Sequence, residues 1–165
     1  MKLVVISDTH IPKRAKGLPS KLIADLKDAE LIIHAGDWQT VDIYHELATY
    51  GELKGVIGNV DNEELQRILP ESLVLEVNNF RIGVVHGHGK GLTTEKRALA
   101  TFKEQNVDCI IFGHSHIPVN KMHEGILLFN PGSATDKRRQ AQYSYGVLTL
   151  NEEISAQHVF YDEKH

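Results

Sequence analysis

The chain has 165 residues, 41% hydrophobic and 24% charged, which fits one globular domain spanning 1–165. Its net charge of −4 lacks the broad basic surface of a non-specific nucleic-acid binder, and a single Cys against ten His rules out a disulfide framework or a Cys-rich zinc site. The longest apolar runs, such as Leu31-Ile32-Ile33, fall well short of the roughly 18 residues of a membrane span, and no apolar signal segment follows Met1-Lys2. The expectation is a cytoplasmic protein with no membrane partner and no nucleic-acid partner, although Lys13-Arg14-Ala15-Lys16 and Lys137-Arg138-Arg139 form small basic clusters. A homo-oligomer is left open.

Short β-branched runs predict strands at Leu3 to Ser7, Leu31 to Ala35, Lys54 to Ile57, Leu73 to Val77, Arg81 to His86 and Cys109 to Gly113. Between them, Ser20 to Asp28 and Val41 to Tyr50 carry apolar residues at helical spacing, as do Asn62 to Leu69, stopped by Pro70, and Thr94 to Gln105. Strand, helix, strand in succession indicates a parallel α/β sheet. After Gly113 the pattern turns to strands at Gly125 to Phe129, Tyr145 to Leu150 and Ile154 to Tyr161, with a tight connection at Leu150-Asn151-Glu152-Glu153-Ile154. This predicts a second, mostly antiparallel sheet at the C-terminal end, facing the first, with helices outside.

The metal-capable residues recur directly after apolar runs. Asp8 and His10 follow the first, Asp37 the second, Asn59 and Asp61 the third, His86 and His88 the fifth, His114 and His116 the sixth. In a parallel α/β sheet the carboxyl ends of the strands share one edge, where such folds place ligands. Glycines accompany nearly all of these blocks, in Gly36-Asp37, Gly58-Asn59, His86-Gly87-His88-Gly89 and Gly113-His114. One Asp at a strand end reads as a turn residue or helix cap. Five repeats of strand and ligand, four of them with a glycine, point to a metal site.

Carboxylates, imidazoles and an amide form a mixed O/N donor set suited to Mn²⁺, Fe²⁺, Zn²⁺, Ni²⁺ or Co²⁺ rather than Ca²⁺. The donors are too many for one ion. Two divalent ions roughly 3.5–4 Å apart, sharing a carboxylate, would use them and clamp a phosphoryl group. Mn²⁺ is the first expectation, with Ni²⁺, Fe²⁺, Zn²⁺, Co²⁺ or Mg²⁺ as alternatives.

Asp8-Thr9-His10, Gly36-Asp37, Gly58-Asn59-Val60-Asp61, His86-Gly87-His88 and Gly113-His114-Ser115-His116 resemble, in order, the five signature blocks of calcineurin-like metallophosphoesterases. Asn130-Pro131-Gly132-Ser133 is similar to the small, uncapped phosphodiesterase branch of that family, which includes the retromer's metallophosphoesterase-like subunit. The resemblance implies an α/β fold, a four-layer α/β/β/α sandwich of two mixed sheets flanked by helices. It implies one ion held by Asp8, His10, Asp37 and His116 and a second held by Asp37, Asn59, His86 and His114, with Asp37 shared and a hydroxide between the ions as nucleophile. The implied function is hydrolysis of a small phosphodiester substrate. A scaffold or binding module with weak catalysis, and a phosphomonoesterase, are the alternatives, and retention of His10 favours the enzyme.

The sequence departs from the family where Val60 follows Asn59, a place many relatives fill with His as a candidate acid for the leaving alkoxide. An aliphatic side chain donates no proton, so His88 is the substitute candidate, with orientation of His86 or of the phosphate as its other reading. Asp61, which would support that absent His, reads as a cap for the helix at Asn62. Ser133 reads as a turn hydroxyl, and Cys109 as a buried small hydrophobe. His34 and His45 read as packed residues. Trp38 is open between stacking on a substrate ring and wedging a helix start, and Arg14 and Arg138 between binding a phosphate and lying solvated.

Overall fold

A computed structural model covering residues 1–165 shows ten strands in two sheets and four helices. The first sheet contains β1 (Lys2–Ile6), β2 (Leu31–His34) and β3 (Leu53–Gly55), all parallel. α1 (Ser20–Leu26) and α2 (Val41–Ala48) make the crossovers, and α3 (Glu63–Ile68) follows β3. The second sheet opens with the antiparallel pair β4 (Ser72–Val77) and β5 (Phe80–Val85). α4 (Thr94–Thr101) leads from β5 to its parallel neighbour β6 (Cys109–Ile111), and β7 (Val119–His123) and β8 (Ile126–Asn130) complete the order β4-β5-β6-β8-β7.

The C-terminal hairpin corrects the sequence-based topology. β9 (Tyr143–Leu150) and β10 (Ile154–Tyr161) pair through the expected tight connection, yet they extend the first sheet, in the order β10-β9-β1-β2-β3. Burial explains the placement. Tyr145 and Val147 of β9 face the helix-side core and Leu148 and Leu150 face the core between the sheets, so β9 is covered on both faces and belongs inside a sheet, antiparallel to β1. The second sheet is therefore central in the sequence and mixed, and it begins at Ser72 rather than at the C-terminal end.

Three apolar layers separate four structural ones. Leu22 and Leu26 of α1 and Ile43 and Leu47 of α2, each pair one helical turn apart, pack with Leu65 of α3 on Val4, Ile6 and Ile32 of the first sheet. Leu3, Val5, Leu31 and Ile33 point to its other face and meet Ile82, Val84, Cys109 and Phe129 of the second sheet. Ala98 and Phe102 close the far side over Ile110 and Leu128. The result is the expected α/β/β/α sandwich. α3 is capped by Asn62, whose side chain accepts from the Leu65 N–H, and α4 by Thr93, whose hydroxyl accepts from Lys96. No helix is long and apolar enough to cross a membrane.

Candidate metal centre

The carboxyl ends of β1 and β2 in one sheet and of β5 and β6 in the other meet at one edge, tied by backbone. The Asp8 N–H donates to the Gly36 carbonyl at 2.9 Å and the Gly113 N–H to the His86 carbonyl at 3.0 Å. The His114 N–H donates across the sandwich to Asp8 Oδ2 at 3.0 Å. The turns are abrupt. Asp8, His10, Asp37, His114 and His116 all hold positive φ, between 45° and 71°, a region non-glycine residues seldom occupy and one that clusters at functional sites.

Two groups of donor atoms result, Asp8 with His10 and His116, and Asp37 with His86 and His114, the atoms of each lying within 4.8 Å of one another. Asp37 links them, its Oδ2 standing 3.5 Å from His10 Nε2 and 3.1 Å from His86 Nε2. Asp8 Oδ1 is 3.5 Å from His116 Nε2 and 3.7 Å from both His10 Nε2 and His86 Nε2. Asn59, exposed, sets its amide oxygen 3.1 Å from His86 Nε2 and 3.2 Å from His114 Nδ1. All seven residues predicted to bind metal thus converge.

The electrostatics suit cations. Three buried atoms, Asp8 Oδ1, His10 Nε2 and His116 Nε2, have no hydrogen-bond partner, and all three belong to one donor group. Leaving a buried polar atom unpaired costs about 1–3 kcal/mol, so three together mark a place built for a positive ion rather than for protein partners. Burial resists ionisation of Asp8, but His86, His10 and His116 hold its carboxyl far below the usual range. Burial likewise opposes charge on His86, and Asp8 and Asp37 overcome it, pushing that imidazole up to about 9. A divalent ion would replace this proton as the neutralising charge. The donor set therefore fits a divalent metal.

The supporting groups fix which imidazole nitrogen faces the centre. His86 Nδ1–H donates to the Ala35 carbonyl at 2.8 Å and His116 Nδ1–H to the Asp136 carbonyl at 2.5 Å, leaving each Nε2 free to ligate. Ser7 Oγ donates to Asp8 Oδ2 at 2.7 Å, and Ser133 Oγ donates to the Asp8 carbonyl at 2.7 Å while accepting from the Asp136 N–H at 2.8 Å. Ser133 is thus a turn hydroxyl that ties two ligand loops together. Sequence reasoning missed Ser7 and Asp136. Ser7 adjoins Asp8 and was open to notice, whereas Asp136 acts through its carbonyl, which leaves no trace in residue type.

Asp61 differs from its expected role. The helix cap is Asn62, and Asp61 instead accepts N–H bonds from Asp37 at 3.0 Å, Gly58 at 2.7 Å and Gln39 at 2.7 Å. A short polar side chain at the loop's centre satisfies three backbone donors that no sheet or helix claims. Gly58 is required for a second reason, because a Cβ there would overlap the Asp37 carboxylate. Val60 is exposed and touches the centre only through its backbone, whose N–H donates to Asp37 Oδ1 at 3.0 Å.

The remaining candidates divide. His88 is exposed, its ring 5.5 Å from that of His86 and 6.4 Å from that of His114. Trp38 is buried, stacks on His34 at 3.8 Å and donates from Nε1 to the Val56 carbonyl, so it packs and meets no substrate. His34 is packed as expected, but His45 faces solvent on α2, against expectation, since only Ile43 and Leu47 of that helix are buried.

Comparison with known proteins agrees with this geometry. Residues 1–153 match the calcineurin-like phosphoesterase superfamily domain. A probable metallophosphoesterase of Methanothermobacter thermautotrophicus is 40% identical over 140 residues, covering 84% of this chain and 80% of that protein. Among solved structures, wild-type Vps29 of Entamoeba histolytica complexed with zinc superposes with a TM-score of 0.77 at 25% identity, over 97% of this chain and 99% of that one. An archaeal phosphodiesterase gives a TM-score of 0.77 at 22% identity, over 98% of this chain and all of that one, a likeness of fold. Blocks, layers and donor geometry have one common source: the chain belongs to the calcineurin-like phosphoesterase superfamily.

Proposed function

We propose that the chain is a divalent-metal-dependent phosphodiesterase that hydrolyses a small phosphodiester at a two-metal site. One cation would be held by Asp8, His10, Asp37 and His116, the other by Asp37, Asn59, His86 and His114. The observation that carries the reading is the set of three buried, unpartnered donor atoms beside Asp37, whose carboxylate reaches both groups. When bound, divalent ions there supply Lewis acidity toward phosphoryl oxygens and make water a nucleophile at neutral pH. Mixed carboxylate and imidazole donors suit Mn²⁺, Fe²⁺, Zn²⁺, Ni²⁺ or Co²⁺, and Mn²⁺ is the ion we propose to test first.

The protein's own groups set the rest. His86 and His116 are held in the tautomer that presents Nε2, and Asp61 and Gly58 fix the Asp37 loop. Val60 offers no proton to a leaving group, which favours esters whose leaving group departs as a stable anion. His88 stands exposed beside His86 and His114, where it can reach a leaving oxygen on the solvent side. Metal-stripped protein supplied with Mn²⁺ is expected to cleave an aryl phosphodiester faster than the matching monoester. Faster monoester cleavage would overturn the diesterase reading.

A further inference from the structure

Two basic clusters more than a hundred residues apart in sequence meet beside the candidate metal centre. A cavity of about 180 Å³ is lined by His10 together with Lys13, Arg14 and Arg138. It shares Arg138 with a neighbouring cavity of about 440 Å³ that adds Lys137 and Arg139. On the other side it shares Lys13 and Arg14 with a third, of about 620 Å³, that adds Lys16 and Lys164. Seven of the chain's 18 Lys and Arg therefore line this rim, against one acidic side chain, Asp136, in a protein of net charge −4. A field of that sign next to a cation site attracts an anion larger than one phosphate.

Arg14 and Arg138 are the two arginines that line the cavity beside His10, and both keep unused N–H groups. Their Nε atoms lie 3.5 and 4.0 Å from Asp136 Oδ2, and neither guanidinium makes a hydrogen bond to the protein. Arg97, by contrast, is spent on the carbonyls of Gly87, Gly91 and Leu92, and Arg81 on Glu76 and the Asn106 carbonyl. Asp136 also accepts the His116 Nδ1–H through its carbonyl, so one residue both orients a candidate metal ligand and aims the two guanidiniums. Arg138 holds a φ of 51° and lines the cavity shared with His10. A forked guanidinium with unused N–H groups matches phosphate oxygens in geometry and charge.

We infer that the preferred substrate is a phosphodiester carrying a second phosphate group, which Arg14 and Arg138 bind beside the scissile one. This rests on the phosphodiesterase reading and refines its substrate class. The test compares a thymidine dinucleotide with and without a 5′-phosphate, using Mn²⁺-loaded protein. The 5′-phosphorylated dinucleotide is expected to show about tenfold higher kcat/KM, the scale of one charge-assisted hydrogen-bonded contact, and the Arg14→Gln/Arg138→Gln variant brings that ratio near one. Arg67→Gln, which removes a charge from exposed α3, keeps the wild-type ratio. Equal kcat/KM for the two dinucleotides in the wild type, or an unchanged ratio in the double variant, overturns the inference. If neither dinucleotide is cleaved, the phosphodiesterase reading fails by itself, and calorimetric binding decides the subsite. Tighter binding of the 5′-phosphorylated form, lost in the double variant, supports it, and equal binding overturns it.

Discussion

Asp61 holds Asp37 from behind: its Oδ2 accepts the Asp37 backbone N–H at 3.0 Å, and the same carboxylate takes the N–H groups of Gly58 and Gln39. The residue whose carboxylate reaches both donor groups is thus positioned through its backbone by another carboxylate. Asp61→Ala would strand three N–H groups around a buried position. A net loss of about 2–4 kcal/mol in urea unfolding is expected, together with a drop in metal affinity of about 10–100-fold by calorimetry. Wild-type metal affinity in this variant would separate Asp61 from the centre.

Gly58→Ala tests the same loop by steric means. The added methyl group meets the Asp37 carboxylate and backbone nitrogen, and moving the carboxylate aside breaks the bond it accepts from the Val60 N–H. The variant is expected to stay folded by circular dichroism and to bind fewer divalent ions than the wild type, read by elemental analysis.

His88→Ala is expected to lower kcat on an aryl diester by about 100-fold, the lower range for a positioned proton donor, with metal content unchanged. Unchanged kcat would remove His88 from the reaction. A loss of metal would reassign it as a support of His86.

His34 sets part of the pH dependence of stability. Its Nδ1 accepts from the Gly36 N–H at 3.0 Å, its Nε2–H faces Thr9 Oγ1 at 3.1 Å, and its ring stacks on Trp38, so a second ring proton would point at a donor. Burial pushes its pKa down to about 3 from 6.5. Between these values the unfolded chain binds the proton and the folded chain does not, so folding free energy falls as pH drops from 6.5 toward 3. Urea midpoints at pH 7, 5.5 and 4.5 are expected to fall more steeply for the wild type than for His34→Gln. Equal slopes would refute the assignment.

Cys109 is buried between the sheets and its thiol is pushed up to about 12 by burial. Native protein is expected to stay inert to a chromogenic disulfide reagent at pH 8, and denatured protein to release one thiol per chain.

The site was far more legible in the sequence than the topology was. Asp8, Asp37, His86 and His114 each follow a strand of apolar residues, and all but Asp8 sit by a glycine, so strand order and residue type together revealed them. β9 was legible as a strand but not as a member of the first sheet, because its partner β1 lies more than a hundred residues away and both faces of β9 are apolar. Asp61 was misplaced because an Asp before a helix and an Asp inside a loop look alike until the N–H groups it faces are known. Asp136 supports His116 through its main chain, and the meeting of Arg14 with Arg138 is a product of folding. Local chemistry repeats in the sequence, whereas the contacts that aim it are long-range.

The most direct measurement is the rate of aryl phosphodiester hydrolysis by metal-stripped protein as Mn²⁺ is added in known equivalents. A two-metal centre predicts no turnover at zero, a rise that levels off near two equivalents per chain, and loss of that rise in Asp37→Ala. Turnover that saturates at one equivalent would contradict the two-metal centre, and none with Mn²⁺, Ni²⁺, Zn²⁺, Fe²⁺, Co²⁺ or Mg²⁺ would contradict the enzyme.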